Sequence, residues 1–450
     1  MDALVVVFIA GLGSLFLGML KKPVLALLLN LLGLSVGFIL LMNYNSYVPL
    51  LKSYSSALVF NGPQLYFGMM ALLFTALVLI FGYKKQSEDV PHYADITSLM
   101  MFSLTGALCL IGFKDFFMFF IGLEILSIPV YVLVGSQKSN TLSSEASLKY
   151  FFTGSFGTAL LLFGIALIFG GTGSFNLNEI GYAVLNNMYI PSLFIPGVLL
   201  IIAALLFKIG AVPFHFWNPD VYQGSSKPVM AYMATVVKIA GFVAAYKLIS
   251  NTFGILSEQW MYFMYIVIIA SLFLGYLSGF KQQSLKRLLA FSGISNTGIG
   301  LLAILNGTSH SELSLIVFLL GYGASTLILL TVAQLVSHEE DDIAALEGIG
   351  YTNPILGIAL LFSLLSLSGI PPFTGFFGKF YLIQDILVAH PVIAFAAIVS
   401  SVLGAYIYLK LILHVFSSKN RPDKIILNPL SLLVIFVGML ILLAGWLWFL

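Results

Sequence analysis

The residues of this sequence that could do chemistry are five charged side chains inside long apolar stretches. They are Glu124, Lys149, Lys208, Lys238 and Lys379. A charge near the middle of a bilayer costs roughly 2.5–3.5 kcal/mol on insertion scales, so five unpaired charges would cost on the order of 12–17 kcal/mol. We therefore expect these side chains to face the protein interior, where lysine and glutamate can handle ions or protons.

The stretches around these charges define the fold class. The chain of 450 residues is 60% hydrophobic and 8% charged, with a mean hydropathy of +1.04, which excludes an ordinary soluble domain. Continuous apolar runs of about 20 residues favour membrane-spanning helices over the alternating strands of a barrel. We predict an all-α polytopic membrane protein with about 14 transmembrane helices, at 2–20, 23–42, 60–82, 93–111, 113–135, 146–169, 196–217, 228–249, 259–279, 284–305, 311–336, 354–388, 392–416 and 428–450.

Positively charged residues of the connecting loops predict the orientation. Loops after odd-numbered helices carry twelve lysines and arginines, whereas loops after even-numbered helices carry only Lys52 and Lys114. Since cytoplasmic loops are enriched in Lys and Arg, both termini are expected on the non-cytoplasmic side. The twelve are Lys21, Lys22, Lys84, Lys85, Lys138, Lys227, Lys281, Lys286, Arg287, Lys419, Arg421 and Lys424.

Several kinds of site are not predicted. The single cysteine, Cys109, excludes an intrachain disulfide and any cysteine-held cluster. The histidines have no metal-ligand spacing, and the sequence has no phosphate-binding loop, dinucleotide fingerprint or nucleophile–base pair. Because Lys21 and Lys22 follow the first apolar run, we expect a retained helix rather than a cleaved signal peptide. We expect the acidic run 339–342 to be a solvated loop, with a partner contact as the alternative.

An internal repeat is indicated by similar stretches far apart in the chain. Residues 210–216 (GAVPFHF) resemble 369–376 (GIPPFTGF) at an offset of 159 residues, and two further pairs recur at offsets of 163 and 167. This pattern predicts a five-helix duplication, helices 4–8 and 9–13, whose copies are inverted in the membrane. The corresponding domains are 1–92, 93–250, 251–417 and 418–450.

Each copy contains a proline break. Pro213 interrupts predicted helix 7, and Pro371 and Pro372 interrupt predicted helix 12. Proline removes an amide donor, and the carbonyl groups freed in a membrane must find another partner. Lys208 lies five residues before the first break and Lys379 seven residues after the second, so we predict functional breaks; simple kinks are the alternative.

Glu124 and Lys149 are the predicted pair of a proton switch. Glu124 lies about 11 residues into helix 5, near the middle of the membrane. At about 4 Å and an effective dielectric near 20, attraction to Lys149 would be about 4 kcal/mol. The alternatives are a purely structural ion pair for Glu124 and a Lys149 that extends to the interface.

Lys208 and Lys238 are predicted in the middle of helices 7 and 8, where they could relay protons, and Lys379 occupies the second copy. The alternative is that each lysine binds carbonyl groups freed by a break. For His215, a helix-end hydrogen bond and a relay role remain equally open. Lys247 and Lys410 are expected to extend to the interface.

Four stretches carry a family resemblance. They are GLEILSIP at 122–129, EASLKY at 145–150, FKIGAVPFHFW at 207–217 and KRLLA at 286–290. Together they resemble the antiporter-like subunits of the proton-pumping NADH–quinone oxidoreductase, complex I. The stretch WNPDVYQG at 217–224 is similar to one branch of these subunits.

The resemblance implies 14 helices in two inverted repeats and a proton path through Glu124 and the four lysines. It also implies a location in the bacterial inner membrane. The expected partners are sister antiporter-like subunits, other membrane-arm subunits and lipid, but not nucleic acid. NADH, FMN, iron–sulfur clusters and quinone are expected to bind to partner subunits.

One position departs from the family. Asn296 replaces a histidine usual in helix 10, and because asparagine cannot carry a proton, we expect a water-mediated link there.

Two alternatives share this sequence pattern. A subunit of a multisubunit sodium/proton antiporter or membrane-bound hydrogenase would have the same bundle and lysines, but WNPDVYQG argues against it. A purely structural membrane scaffold would tolerate Leu or Met at the lysine positions.

Overall fold

The computed structural model describes residues 2–44, 57–86, 90–336, 341–417, 425 and 427–445. Within these residues the chain is helical, without β-strands beyond isolated bridges. The helices are α1 Asp2–Met19, α2 Pro23–Met42, α3 Pro63–Gln86, α4 Val90–Gly112, α5 Phe116–Val134, α6 Thr141–Thr172, α7 Leu177–Leu185, α8 Pro191–Ile209, α9 Trp217–Gly224, α10 Lys227–Thr252, α11 Ser257–Gly279, α12 Leu285–Asn306, α13 Ser309–Val336, α14 Ile349–Thr352, α15 Pro354–Ser368, α16 Thr374–Ile386, α17 Pro391–Val415 and α18 Pro429–Leu443.

Among the described residues, 12 helices are long and apolar enough to cross a membrane, and α15 and α18 are shorter apolar helices. The predicted all-α polytopic fold is therefore confirmed, and the chain is a multi-pass membrane protein. The count of 14 spans and the inverted duplication remain predictions. Residues 446–450, the end of the last predicted span, lie outside the described residues, as do Lys52, His338, Glu339, Glu340, Lys419, Arg421 and Lys424.

Two elements differ from the sequence prediction. The stretch between predicted helices 6 and 7 contains α7, which Asn176 caps by accepting a hydrogen bond from the Asn178 amide. Its nine residues are too few for a membrane-spanning pattern, so the hydropathy of the sequence did not mark it. The helix α10 includes two π-helical segments, Met233–Val237 and Tyr246–Thr252, which interrupt the regular α-helical period.

The two predicted breaks are confirmed, and their local geometry is alike. After α8, Gly210 adopts a left-handed conformation with φ of 73°, and the Val212–Pro213 bond is cis. After α15, Gly369 has φ of 77°, and the Pro371–Pro372 bond is cis. Glycine suits both positions because it has no Cβ to clash in this region. Both helices therefore end at a glycine that lies three residues before a proline.

The chain forms two compact units. The first comprises Met1–Ile209 and Gly224–Tyr262, and the second comprises Gly210–Gln223 and Phe263–Leu450. In the first unit the most hydrophobic stretch of α10 is fully buried. In the second unit the corresponding stretches of α12 and α13 are each 94% buried. These helices form the two cores.

Candidate functional site

Glu124 lies in the middle of α5, as the ninth of its 19 residues. Its predicted position in the middle of an apolar helix is therefore confirmed, whereas its depth in the membrane remains a prediction. The side chain is half-buried, and its Oε1 accepts a hydrogen bond of 2.9 Å from Thr158 Oγ1 on α6. Thr158 therefore links the carboxylate of α5 to the neighbouring helix.

Lys149 does not face the interior of this chain, so the prediction of burial is wrong for this residue. Its side chain is 44% exposed and forms an ion pair of 2.7 Å with Glu145, one helical turn earlier. The contacts observed for Glu124 and Lys149 thus differ from the predicted pair. The physical reason is that α6 begins at Thr141 rather than near 146, which places Glu145 and Lys149 at i and i+4 on one exposed face.

Lys208 lies in the last turn of α8, just before the first break, rather than in the middle of a continuous helix. It is 7% exposed. The Nζ atom donates a hydrogen bond to Ser127 Oγ on α5 and lies 5.5 Å and 5.9 Å from the ring centroids of Tyr131 and Tyr150. Aromatic faces attract a cation at such distances, so this environment is suited to an ammonium group.

A small cleft in the first unit lies between α5, α6 and α8, next to Lys208. Thr158, which binds Glu124, and Lys208 both line it. Gly154 and Gly157 of α6 leave space on one wall, because a Cβ at Gly157 would lie 2.9 Å from the ring of Phe207. The full lining comprises Leu123, Gly154, Gly157, Thr158, Leu161, Ala204, Phe207 and Lys208.

Lys238 lies near the middle of α10 and is 6% exposed. It directly follows the first π-helical segment, Met233–Val237. Its predicted position inside an apolar helix is confirmed. Lys227, which we assigned to a connecting loop, is instead the first residue of the same helix and is 8% exposed.

Lys379 lies on α16 in the second unit and is 5% exposed. Its Nζ donates a hydrogen bond of 2.5 Å to the carbonyl oxygen of Leu367. In an uninterrupted helix that oxygen would accept from residue 371, which is a proline without an amide hydrogen. This contact agrees with the alternative hypothesis for these lysines, in which each binds a carbonyl group freed by a break.

The supporting residues have distinct surroundings. His215 is half-buried in the turn after the first break, with its ring stacked on Phe216 at 4.6 Å. Asn296 is buried in α12 and donates hydrogen bonds to the Ser292 carbonyl at 2.9 Å and to Tyr408 Oη at 3.4 Å. Asn296 is therefore part of a polar contact with α17.

Sequence reasoning did not identify three contact residues. Ser127 and Thr158 carry the hydroxyl groups that bind Lys208 and Glu124. The spacing of Ser127, three residues after Glu124 and on the same helical face, was a possible signal. The Nζ atom of Lys247 binds the carbonyl of Phe113, which lies between α4 and α5, and is 4.6 Å from that ring centroid, a contact that the sequence did not predict.

The loop charges include one organised contact. Asp341, part of the predicted solvated acidic run, accepts hydrogen bonds from Ser284 Oγ and, at 3.0 Å, from the Lys286 amide. Asp342 caps the short segment that follows by accepting from the Ala344 amide. These two carboxylates therefore stabilise local structure, whereas Glu339 and Glu340 lie outside the described residues.

The fold and the site define a polytopic membrane protein with charged groups in its interior. Its helices are apolar, two of them end at a glycine-proline break, and three lysines are buried at 5–7% exposure. The family model for the transmembrane region of NADH:quinone oxidoreductase and Mrp antiporters matches residues 114–404. The chain belongs to this family.

Individual relatives match over nearly the whole chain. The NADH-quinone oxidoreductase subunit N of Cytophaga hutchinsonii is 34% identical over 98% of this chain and 97% of its own length. Subunit N of Flavobacterium psychrophilum is 32% identical over 84% of each chain. A chain of respiratory complex I from Thermus thermophilus with bound aureothin superposes with a TM-score of 0.83 at 28% identity, over 100% of this chain and 98% of that one.

Proposed function

We propose that the chain is the N-type, proton-translocating membrane-arm subunit of a respiratory NADH:quinone oxidoreductase. The observation that carries this proposal is the burial of Lys208, Lys238 and Lys379 at 5–7% exposure within apolar helices. A buried ammonium is costly, so its presence at three positions favours a functional role. The near full-length similarity to subunit N of two bacteria supports the particular assignment.

Glu124 and Lys208 are the groups that hold charge in the first unit. Lys208 is surrounded by the Ser127 hydroxyl and two tyrosine rings, which stabilise its protonated form. A change in the charge of Glu124 alters the electrostatic potential at Lys208, since two charges in a protein interior interact more strongly than in water. Quinone reduction elsewhere in the complex would drive such a change.

Lys238 and Lys379 continue the proton path in this proposal. Lys238 lies in the buried core helix α10, and Lys379 lies beside the second break. Lys149 would join the path from the surface of this chain, where it forms an ion pair with Glu145. His215 and Asn296 contribute polar contacts rather than primary charge sites.

The chain carries the translocation and its partners carry the redox chemistry. Within the described residues no group of three or more His, Cys, Asp and Glu side chains could hold a metal ion. We propose, as the family resemblance implies, that NADH, FMN, iron–sulfur clusters and quinone bind to partner subunits. We place the complex in the bacterial inner membrane, with both termini non-cytoplasmic and with sister antiporter-like subunits as neighbours.

The second candidate is a subunit of an Mrp-type sodium/proton antiporter, because the matching family model includes both groups. The bundle and buried lysines suit either function. The similarity to subunit N over almost the entire chain favours the respiratory complex.

The test is Lys208→Met in the assembled complex, reconstituted in vesicles that report NADH-driven proton pumping. We expect the complex to assemble and pumping to fall, because methionine retains the apolar stem but cannot carry a proton. Lys208→Arg should also impair pumping, since arginine holds its proton too tightly. Lys281→Met, at an exposed turn residue, is the matched control.

Normal pumping by a fully assembled Lys208→Met complex would overturn the proposal. Sodium-driven exchange without NADH-dependent activity in the purified native complex would instead support the antiporter candidate.

A further inference from the structure

We propose that the hydroxyl groups of Thr158 and Ser127 act as positioning groups that hold Glu124 and Lys208 apart. Each hydroxyl binds one member of the pair, and together they set how readily the carboxylate and the ammonium approach. The inference rests on the proposed function, because it assigns these two residues to the proton-transfer step of the first unit.

The Thr158 hydroxyl fixes the carboxylate. Its Oγ1 donates the 2.9 Å hydrogen bond to Glu124 Oε1 from the neighbouring helix. A neutral donor stabilises a carboxylate without neutralising it. The bond directs Glu124 towards α6, and Thr158 also lines the cleft that reaches Lys208.

The Ser127 hydroxyl binds the ammonium group of Lys208. A second hydrogen bond determines that this hydroxyl acts as the acceptor. Its Oγ donates to the Leu123 carbonyl of the preceding turn. Because the only hydroxyl hydrogen is used there, Ser127 presents a lone pair to Lys208 and can only accept from Nζ. Ser127 therefore competes with the Glu124 carboxylate as acceptor for the same ammonium.

The two hydroxyl groups lie close to the cleft, since Thr158 lines it and Ser127 binds Lys208, which also lines it. On α5, Glu124 and Ser127 lie at i and i+3 and so share one face. The cleft has polar groups at Thr158 and Lys208, and the buried Tyr131 hydroxyl, which has no hydrogen-bond partner among the described residues, lies against its Gly154 wall. Such groups can be bridged by water, so a proton can pass without direct contact between Glu124 and Lys208.

Removal of either hydroxyl should tighten the ion pair between Glu124 and Lys208. Without Ser127, Lys208 loses its neutral acceptor and turns to the carboxylate, which holds the ammonium in a tight ion pair. Without Thr158, the carboxylate is released towards Lys208 with the same result. A tight pair favours the charged lysine and slows the release of its proton.

The experiment compares Thr158→Val with Thr158→Ser, and Ser127→Ala with Ser127→Thr, in the assembled and reconstituted complex. Valine has nearly the shape of threonine but no hydroxyl, whereas serine restores the hydroxyl with less bulk. We expect pumping to fall severalfold, and by up to about tenfold, in Thr158→Val and Ser127→Ala, the factor associated with the net contribution of one typical hydrogen bond. Thr158→Ser and Ser127→Thr keep a hydroxyl and should retain most of the proton pumping of the parent complex.

The matched control is Thr153→Val. Thr153 lies on the same helix, but its hydroxyl binds only backbone carbonyls of its own helix, those of Lys149 and Tyr150. Full pumping in Thr158→Val and Ser127→Ala, or equal loss in the Val and Ser variants of Thr158, would overturn the inference. Lys208→Met is measured in parallel, so that normal pumping in that variant identifies failure of the proposed function itself.

Discussion

Arg287 and Asp220 are joined by an ion pair of 2.8 Å between Nη1 and Oδ1. They belong to two sequence motifs, KRLLA at 286–290 and WNPDVYQG at 217–224, that are more than 60 residues apart in the chain. The same Nη1 donates to Gln223 Oε1 at 2.9 Å, and Lys286 Nζ donates to the Gln223 carbonyl at 2.6 Å. The start of α12 therefore holds α9, the short helix that follows the first break.

This contact predicts a measurable coupling between the two motifs. We expect Arg287→Ala and Asp220→Ala each to lower the midpoint of thermal unfolding slightly, with a coupling of about 0.5–1 kcal/mol in a double-mutant cycle, because both side chains are about one-third exposed. Arg287→Lys should retain part of this coupling energy, since lysine keeps the charge but not the planar geometry of the guanidinium group. Strictly additive effects would show that the pair does not stabilise α9.

Lys379 allows a structural role and a proton-carrying role to be separated. Lys379→Met removes the donor to the Leu367 carbonyl and should lower stability by about 1 kcal/mol, because relief of the buried charge offsets part of the loss. Lys379→Arg keeps a donor and should retain stability, yet it should reduce pumping because arginine does not release its proton. Heat stability of the detergent-solubilised complex and vesicle pumping measure the two effects. Full pumping with arginine would leave Lys379 with the structural role alone.

The crossing of α6 and α8 depends on two opposed glycines. A Cβ at Gly164 would lie 2.9 Å from the Gly197 carbonyl oxygen, and a Cβ at Gly197 would lie 2.9 Å from that of Gly164. We expect Gly164→Ala or Gly197→Ala to separate the helices and lower stability by about 1–3 kcal/mol. Subunit content of the purified complex after heating measures this loss.

Gly181→Ala is the control for the glycine variants. Gly181 also lies in a helix, but a Cβ there would meet no atom within 4 Å. This variant should match the parent protein or exceed it slightly in stability, because alanine is the better helix former. Equal damage at all three positions would argue against a specific requirement at the crossing.

Asn296 is expected to act as a neutral polar link rather than as a titrating group. Asn296→Leu removes the contacts with Tyr408 and Ser292 and should reduce pumping. Asn296→His replaces the amide with a polar group that can carry a proton and should pump at least as well as the parent chain. Proton pumping per NADH oxidised decides between these outcomes. An unaffected leucine variant would show that this part of α12 carries no proton link.

The sequence predicted the features that depend on local chemistry. The two breaks followed from Pro213 and the Pro371–Pro372 pair, because proline disrupts a helix wherever it lies. The position of Glu124 in the middle of α5 followed from the length of one apolar run. Burial of Lys208, Lys238 and Lys379 followed from the cost of exposing charge to lipid.

The features that were missed depend on how helices pack against one another. Serine and threonine are common in apolar helices, so nothing in the local sequence distinguishes Thr158, whose hydroxyl binds Glu124, from Thr153, whose hydroxyl binds its own helix. The exposure of Lys149 depended on the start of α6, and a helix boundary is less certain from sequence than a helix centre. Contacts between helices therefore set the limit of the sequence prediction.

The π-helical segment before Lys238 has a consequence for tracing this helix through related chains. One extra residue in a turn rotates everything downstream by about 100° around the axis. The direction of this ammonium is thus set by Met233–Val237 as much as by its own position. In a relative without this π-helical turn, the lysine aligned with Lys238 would point towards a different neighbouring helix. A one-residue gap in the alignment at this segment should therefore mark relatives in which the lysine has different contacts.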